Sequence, residues 1–495
     1  MKNKVLFIVS FLIIASMMLT ACGGGNTAAP VAEEPAAAEE ASEASEADAA
    51  VEAAAEEAAA AEAAGKTVLN VWSFTNEIQT MAVAFEKYHP DVDVVYTMIP
   101  MTNGEYQTKL LATLNTDDVP DVIALEAAFV KEYVESDFLA DIGDLQPDID
   151  AAQTYPVVTE VGTADGVLKA LSYQATPGAL FYRRSLAIEY FGTDDPDAIQ
   201  ELLSDMDKYT EAAGVIKEKS GGDTYMISSN GDFQNLFYAN REQPWVVDDT
   251  LVVDPMVNKY IEIAKIFRDN DYESRAQQWQ EGWFAAMNDT LVDAEGNPKQ
   301  VFSFFLPTWG LPYVLSPNST SADGSSSTAG DWAIIPGPMP YQWGGTWVGA
   351  MKDSSNLDLA KEFVRFVALD EENLTNWATG VYTNEYLKEI DPNVPDDQAQ
   401  AAGDFVSSQV VVEKITDSFD DSAMSEFLGG QNSYGGFAAA APSVSARLMQ
   451  GSDDAIQRAL NDPINSYLAG EITEDEMWSL WKDAVRNEFP DLIIN

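Results

Sequence analysis

The sequence is poor in the side chains that most catalytic chemistry requires. Of its 495 residues, one is cysteine, Cys22, and one is histidine, His89. A single cysteine excludes an internal disulfide, and no second thiol is available for a cysteine-zinc site or a thiolate nucleophile elsewhere in the chain. His89 stands in Tyr88-His89-Pro90-Asp91, directly after a helical pattern, where a turn is the expected structure rather than a general base. With no second histidine, HExxH chemistry and histidine-zinc sites are unavailable. Basic residues are also scarce: 27 Lys and Arg face 81 Asp and Glu, for a formal charge of −54. Phosphate neutralisation needs a basic surface, so nucleic acid is excluded as a partner. Neither a GxxxxGK[ST] loop nor a strand-linked GxGxxG is present, and no nucleotide or other cofactor is expected.

What is present begins with an address. Lys2 and Lys4 precede an apolar run over residues 5–18, followed by Leu19-Thr20-Ala21-Cys22-Gly23. A basic start, a run too short for a membrane span and a small-residue cleavage site form a secretory signal over residues 1–21. Its ending resembles the bacterial lipobox, in which the cysteine is diacylated. That resemblance implies lipidation of Cys22 and an extracytoplasmic protein anchored to the cell membrane. Residues 26–64 contain 20 alanines, 11 acids and no base. With no Leu, Ile or aromatic side chain to bury, residues 22–64 are expected to be a lipidated cysteine and a disordered tether, helical at most transiently.

From Lys66 the pattern becomes α/β. Val68-Leu69-Asn70-Val71-Trp72 reads as a buried strand; Ile78, Met81, Ala82 and Phe85 follow at helical spacing, and Val92, Val94, Tyr96 and Met98 alternate. A helix around residues 107–114 leads to a further strand at Val122-Ile123-Ala124-Leu125. Strands alternating with helices predict parallel pairing in helix-covered sheets. Leu357, Ala360, Val364 and Val367 mark an amphipathic helix. Tryptophans also recur in loop-like settings: Trp279 and Trp283 around Gln-Glu-Gly, Trp309 between prolines and glycine, and Trp343 and Trp347 around Gly-Gly-Thr. Flat apolar faces beside amides and carboxylates suit sugars, which offer C–H faces rimmed by hydroxyls.

Four stretches in order carry a more specific resemblance. They are Val71-Trp72-Ser73-Phe74-Thr75-Asn76-Glu77, then Val119-Pro120-Asp121-Val122-Ile123 through Leu139-Ala140-Asp141-Ile142. Leu171-Ser172-Tyr173-Gln174 through Tyr182-Arg183 follows, and last Gly337-Pro338 through Trp343-Gly344-Gly345-Thr346-Trp347. Together they resemble the extracellular solute-binding proteins of the family 1 type, the carbohydrate-binding components of ABC importers, with the plan of maltose-binding protein. The resemblance implies a two-lobe α/β fold of the periplasmic-binding-protein kind, with a hinge and a ligand cleft. Lobe one would take residues 66–175 and 343–400, and lobe two 176–342 and 401–495. The implied function is capture of a sugar or oligosaccharide by a monomer, not an enzyme, that delivers it to permease subunits. Matching positions make Asn76, Glu77, Glu126, Tyr173 and Gln174 the polar site candidates, with Trp283, Trp309, Trp343, Trp347 and Tyr434 as stacking faces. Asp121 is expected to be structural. Two alternatives fit the composition: a binding protein for a polyamine or another cationic solute, and an exported glycoside hydrolase using paired carboxylates.

Overall fold

A computed structural model describes residues 36–495 apart from 102, 103, 115, 117, 393, 395–403 and 417–421. The signal segment and Cys22 lie outside the described residues. Among the described residues no helix is long and apolar enough to cross a membrane.

Two sheets organise the chain. The first contains β1 (Thr67–Ser73), β2 (Val92–Met98), β3 (Val122–Glu126), β4 (Leu171–Ser172) and, much later in sequence, β8 (Thr346–Ala350), in the order β2-β1-β3-β8-β4. β2, β1 and β3 run parallel, and β8 is antiparallel to both of its neighbours. The run Val122–Leu125 is buried throughout, as a central strand covered by helices on both faces must be. Asp121 holds this strand in register: its carboxylate accepts from the Asn70 amide at 2.8 Å and from Ser354 Oγ at 2.5 Å. The role is structural, as the sequence suggests. The predicted amphipathic helix forms over Leu357–Leu369 and packs Phe363 and Phe366 edge-on to Phe85. His89 ends the helix Glu77–Tyr88 and stacks on Phe85, so it is a turn residue with a packing role.

The second sheet is antiparallel, with β5 (Gly178–Arg183) between β6 (Ser303–Pro307) and β7 (Trp332–Ile335). Arg183, at the end of β5, is buried and makes a bidentate pair with Asp289 at 2.7 and 3.0 Å and a further bond to Asp331 at 2.7 Å. Three extended segments meet where the two lobes adjoin: residues 173–178, 341–345 and 404–408. They pair as a small antiparallel ribbon with 173–178 in the middle. The Gly178 amide donates to Tyr341 O, the Ala175 amide to Phe405 O and the Ser407 amide to Tyr173 O. Gly178 is obligatory here, because a Cβ would fall 1.9 Å from the Tyr341 ring. Crossings at 173–178 and 341–345, with 404–408 paired alongside, make a hinge of the kind that permits cleft closure.

Two segments depart from expectation. The chain beyond residue 400 does not pass wholly into lobe two. The helix Gln409–Thr416 packs on Glu371–Ala378 and Gln146–Ala152 of the first lobe, with Lys414 2.9 Å from Glu371. The chain reaches the second sheet with the helix Ser433–Ala440, which packs on β5 and β7, and the last two long helices, Asp453–Leu468 and Glu474–Glu488, follow in the second lobe, the first of them against Pro255–Asp269.

The second departure is the alanine-rich segment, which is a helix over Ala36–Ala63 laid against β1 and β2. Alanine is the best helix former, and Gly65 at φ +82° closes the helix with both Schellman bonds, Gly65 to Glu62 O and Lys66 to Ala61 O. Ala61 is buried against Val68 and Val95, Ala54 and Ala58 pack beside it, and Asp48 pairs with Lys109. Composition misleads here because it counts large apolar side chains. Methyl-sized residues gain contact instead by letting the helix backbone approach the sheet.

Candidate functional site

The carboxyl ends of β1 and β3 point to the hinge, and the loops beyond them face the second lobe. Ligands of open α/β sheets bind at such ends. Two groups of side chains converge there.

The first is a tryptophan cluster at the lip of the second lobe. Trp309 follows β6, and its Nε1 donates to Trp343 O at 3.0 Å, tying it to the hinge. Gly344 makes room for it: its φ is +71°, and a Cβ would lie 2.7 Å from Trp309 Nε1. Trp343 stands edge-on to Trp309 with ring centroids 5.3 Å apart. Trp279 completes the group, nearly parallel to Trp309 at 6.2 Å and edge-on to Trp343 at 6.1 Å. Trp309 and Trp343 are half-buried, whereas Trp279 is 50% exposed and holds φ at +66°. A left-handed backbone costs a bulky residue about 1–2 kcal/mol, and such strain concentrates at functional positions.

Trp283 supports the cluster from behind. It has no exposed surface, lies 5.2 Å from Trp279, and donates Nε1–H to Asp232 at 3.1 Å. Asp232 is itself fixed by the Ser228 and Ser229 amides at 3.0 and 3.1 Å, and burial pushes its carboxyl up to about 7. The stacking role expected for Trp283 is therefore not available to it; it holds Trp279 in place. Trp347 is likewise no stacking face. It lies inside β8 at 2% exposure, with Nε1 donating to Val158 O at 3.0 Å. Tyr434 is buried in the helix Ser433–Ala440, and its hydroxyl donates to Asp404 O. In all three cases the polar atom of the ring is occupied by the protein's own framework.

The second group is acidic and phenolic. Glu77 opens the helix Glu77–Tyr88, and burial pushes its carboxyl up to about 7, with the Asp404 charge adding to the effect. Asp404 lies on the third hinge segment at 6% exposure. Trp377 Nε1 donates to it at 3.0 Å, and burial pushes it up to about 6. Tyr173, on the first hinge segment, is buried and sits edge-on to Trp377 at 6.1 Å. Tyr313 comes from the second lobe, one turn beyond Trp309, and is half exposed. Glu77, Asp404, Tyr173 and Tyr313 all lie within electrostatic reach of one another.

The remaining candidates occupy the margins. Asn76 is the residue before the helix at Glu77, and Gln174 bridges Val406 in the hinge ribbon with its side chain mostly covered. Glu126 ends β3. Its carboxylate accepts from the Ala128 amide at 2.7 Å and is pushed up to about 7 by burial, with Asp454 adding to the shift. The following Ala127 amide donates to Gly345 O, so this loop too is fastened to the hinge. Of the residues expected from sequence, Trp309 and Trp343 meet in one cluster and Glu77 and Tyr173 in the other, while Trp279, Tyr313 and Asp404 were not among the candidates. Trp279 carried a visible signal, since it stands four residues before Trp283 in the same polar loop.

The fold matches many solved structures. One, described as an extracellular solute-binding protein family 1 structure, superposes with a TM-score of 0.67 at 15% identity, over 86% of this chain and 99% of that one. The sugar-binding protein MalE from Xanthomonas citri gives 0.63 at 16% identity, over 85% and 97% of the two chains. The binding protein from B. animalis subsp. lactis Bl-04, solved with beta-1,6-galactobiose, gives 0.59 at 18% identity, over 87% and 100%. Comparison with curated protein sequences gives no match. The family described as bacterial extracellular solute-binding protein matches residues 80–402, most of the chain, and its two-lobe fold is the one observed. The chain belongs to the bacterial extracellular solute-binding proteins.

Proposed function

We propose that the chain captures a sugar or oligosaccharide in the cleft between its lobes and delivers it to the permease of an ABC importer. The observation that carries this reading is the group of Trp279, Trp309 and Trp343 at the hinge, with exposed indole surface and one member held in a strained backbone. A contiguous patch of exposed aromatic surface marks an interaction site, and a saccharide's C–H face is a fitting cover. Solved proteins of the same fold hold sugars, which supports the ligand class. Closure about the three hinge segments would bring Tyr313 and the tryptophans of the second lobe onto a ligand resting against Glu77 and Tyr173. The closed surface is then what a permease can distinguish from the open one.

The protein acts by capture, without turnover, and as a monomer. The lipobox resemblance at Leu19-Thr20-Ala21-Cys22 supports anchoring to the outer side of the cytoplasmic membrane through Cys22. The test is a thermal-shift and calorimetry screen of the purified protein against mono- and oligosaccharides. Ligand at 100 times Kd stabilises by about 2.7 kcal/mol, a readily measured rise. A panel without a single binder, or hydrolysis of the bound sugar, would overturn the reading.

A further inference from the structure

The helix Ala36–Ala63 runs against the direction of the strands it covers. Its carboxyl end turns through Gly65 directly into β1, so Ala61 lies beside Val68, near the start of that strand. Asp48 stands about 20 Å further along the helix axis, and β1 is itself about 20 Å long. Two contacts fix the direction. Asp48 pairs with Lys109 in the helix Glu105–Thr113, and Ala47 and Val51 pack in the cluster that holds Trp72, Ile99, Tyr106 and Leu110. Trp72 is near the end of β1, and Ile99 follows the last residue of β2. From Ala47 the helix continues about 17 Å to Ala36, past the carboxyl ends of both strands. β2 is also the edge strand farthest from β8 and β4, which adjoin the hinge segments 341–345 and 173–178. The helix therefore starts at the mouth of the cleft, away from the hinge.

Resting on the lipid-anchoring reading above, we propose that this helix is a strut that carries the tether from the base of the first lobe to the cleft mouth, so that the anchored protein turns its mouth toward the membrane holding the permease. Cys22 precedes Ala36 by 14 residues, a span of at most about 50 Å. With the helix undocked, the tether would run from Cys22 to Lys66 and reach about 150 Å from the opposite end of the lobe. Docking thus shortens the leash about threefold, which raises the effective concentration of the cleft at the membrane. Rotation about a hinge displaces the mouth most, so the surface turned to the membrane is the one on which open and closed forms differ most.

The experiment places the full lipidated protein on liposomes whose headgroups carry an acceptor dye. The lipid occupies Cys22, so Asp91→Cys and Met98→Cys each supply a single free thiol for a donor dye. Both positions are exposed and stand at opposite ends of β2, about 23 Å apart. Energy transfer is expected to be stronger from the Met98 position, by an amount that places it about 10–20 Å nearer the membrane. Ala61→Glu, which lifts the helix, should weaken transfer at both positions and erase the difference, whereas Ala60→Glu on the outward face should preserve it. Melting temperatures of the two variants separate undocking from loss of the fold. Equal transfer from the two positions in the parent, or stronger transfer from Asp91, would overturn the strut while leaving the lipid anchor intact. A parent that stays in solution would remove the anchor, and the strut with it.

Discussion

The helix Ala36–Ala63 offers a sharp test of how alanine can build a core. Ala61 is 6% exposed and packs on Val68 and Val95, the latter fully buried. Ala60, its neighbour, points outward. Ala61→Glu would force a carboxylate against those valines, and the helix would lift rather than bury it. Uncovering most of two valine side chains costs about 1.5–3 kcal/mol each when complete, and the loss of the exposed Asp48–Lys109 pair adds at most about 1 kcal/mol. A total near 3 kcal/mol is reasonable for partial exposure. For a lobe of 150–250 residues this lowers Tm by about 6–12 °C. Ala60→Glu has the same helix propensity and the same added charge and should leave Tm essentially in place. Calorimetric melting of the two variants beside the parent decides the matter. Should both variants melt with the parent, the helix contributes nothing to the lobe and the docking argument fails.

Three further predictions follow from the site and its surroundings. Trp279→Ala or Trp309→Ala should weaken sugar binding by roughly 1–3 kcal/mol, about five- to 150-fold in Kd, with little loss of Tm for Trp279; unchanged affinity would remove that ring from the cleft. Trp347→Ala should do the reverse, costing about 3–5 kcal/mol of stability through a cavity in the first lobe, as read by denaturant titration. Burial pushes Glu77, Glu126, Glu132 and Asp232 up to about 7, and Asp404 and Asp453 up to about 6. The folded state therefore binds more protons than the unfolded one between about pH 4.5 and 7, so stability is greatest toward the acid end of that window and is lost as pH rises through it. Tm should be higher at pH 5.5 than at pH 8, and should remain so in high salt, where surface repulsion is screened; a maximum at pH 8 would show that these carboxyls ionise normally.

Much of the fold was legible because local and global preferences agree. The strand at Val68-Leu69-Asn70-Val71-Trp72 and the helical spacing from Ile78 to Phe85 both form where the pattern places them. The hinge crossings at 173–178 and 341–345 were readable from Leu171-Ser172-Tyr173-Gln174 and Trp343-Gly344-Gly345. The tryptophans were harder. In Trp343-Gly344-Gly345-Thr346-Trp347 both rings flank glycines, yet the two glycines hold φ +71° and +114° and end the hinge, so Thr346 already begins a strand. Trp343 stays at the hinge and Trp347 enters the sheet. Composition cannot distinguish them, because a shift of one position along a strand exchanges core and cleft. Asp404 was hidden differently: it is placed by its neighbours Phe405 and Ser407, which pair with Ala175 and Tyr173 more than 200 residues earlier.

What singles out the cleft is that local rules fail there together. A tryptophan holds a left-handed backbone at Trp279, a glutamate carboxylate oxygen is buried without a partner at Glu77, and two hinge glycines hold positive φ, one of them beneath an indole. The first two are unfavourable alone, and a fold selected only for stability would replace them; the glycines are what lets the hinge take that path. Asp232 shows the contrasting case. It too is a buried carboxyl, but amide and indole donors satisfy it, and its effect is to hold Trp283 behind Trp279. Asp453 and Glu273 also carry an unpartnered oxygen, but each is paired with an arginine, so the contrast that matters is between a buried acid held by the protein's own donors or cations and one that is not. By that criterion we propose Glu77 as a ligand contact and place Asp232 in the frame. Removing the Asp232 carboxylate should lower stability and affinity together, whereas removing the Glu77 carboxylate should weaken affinity with no loss of stability.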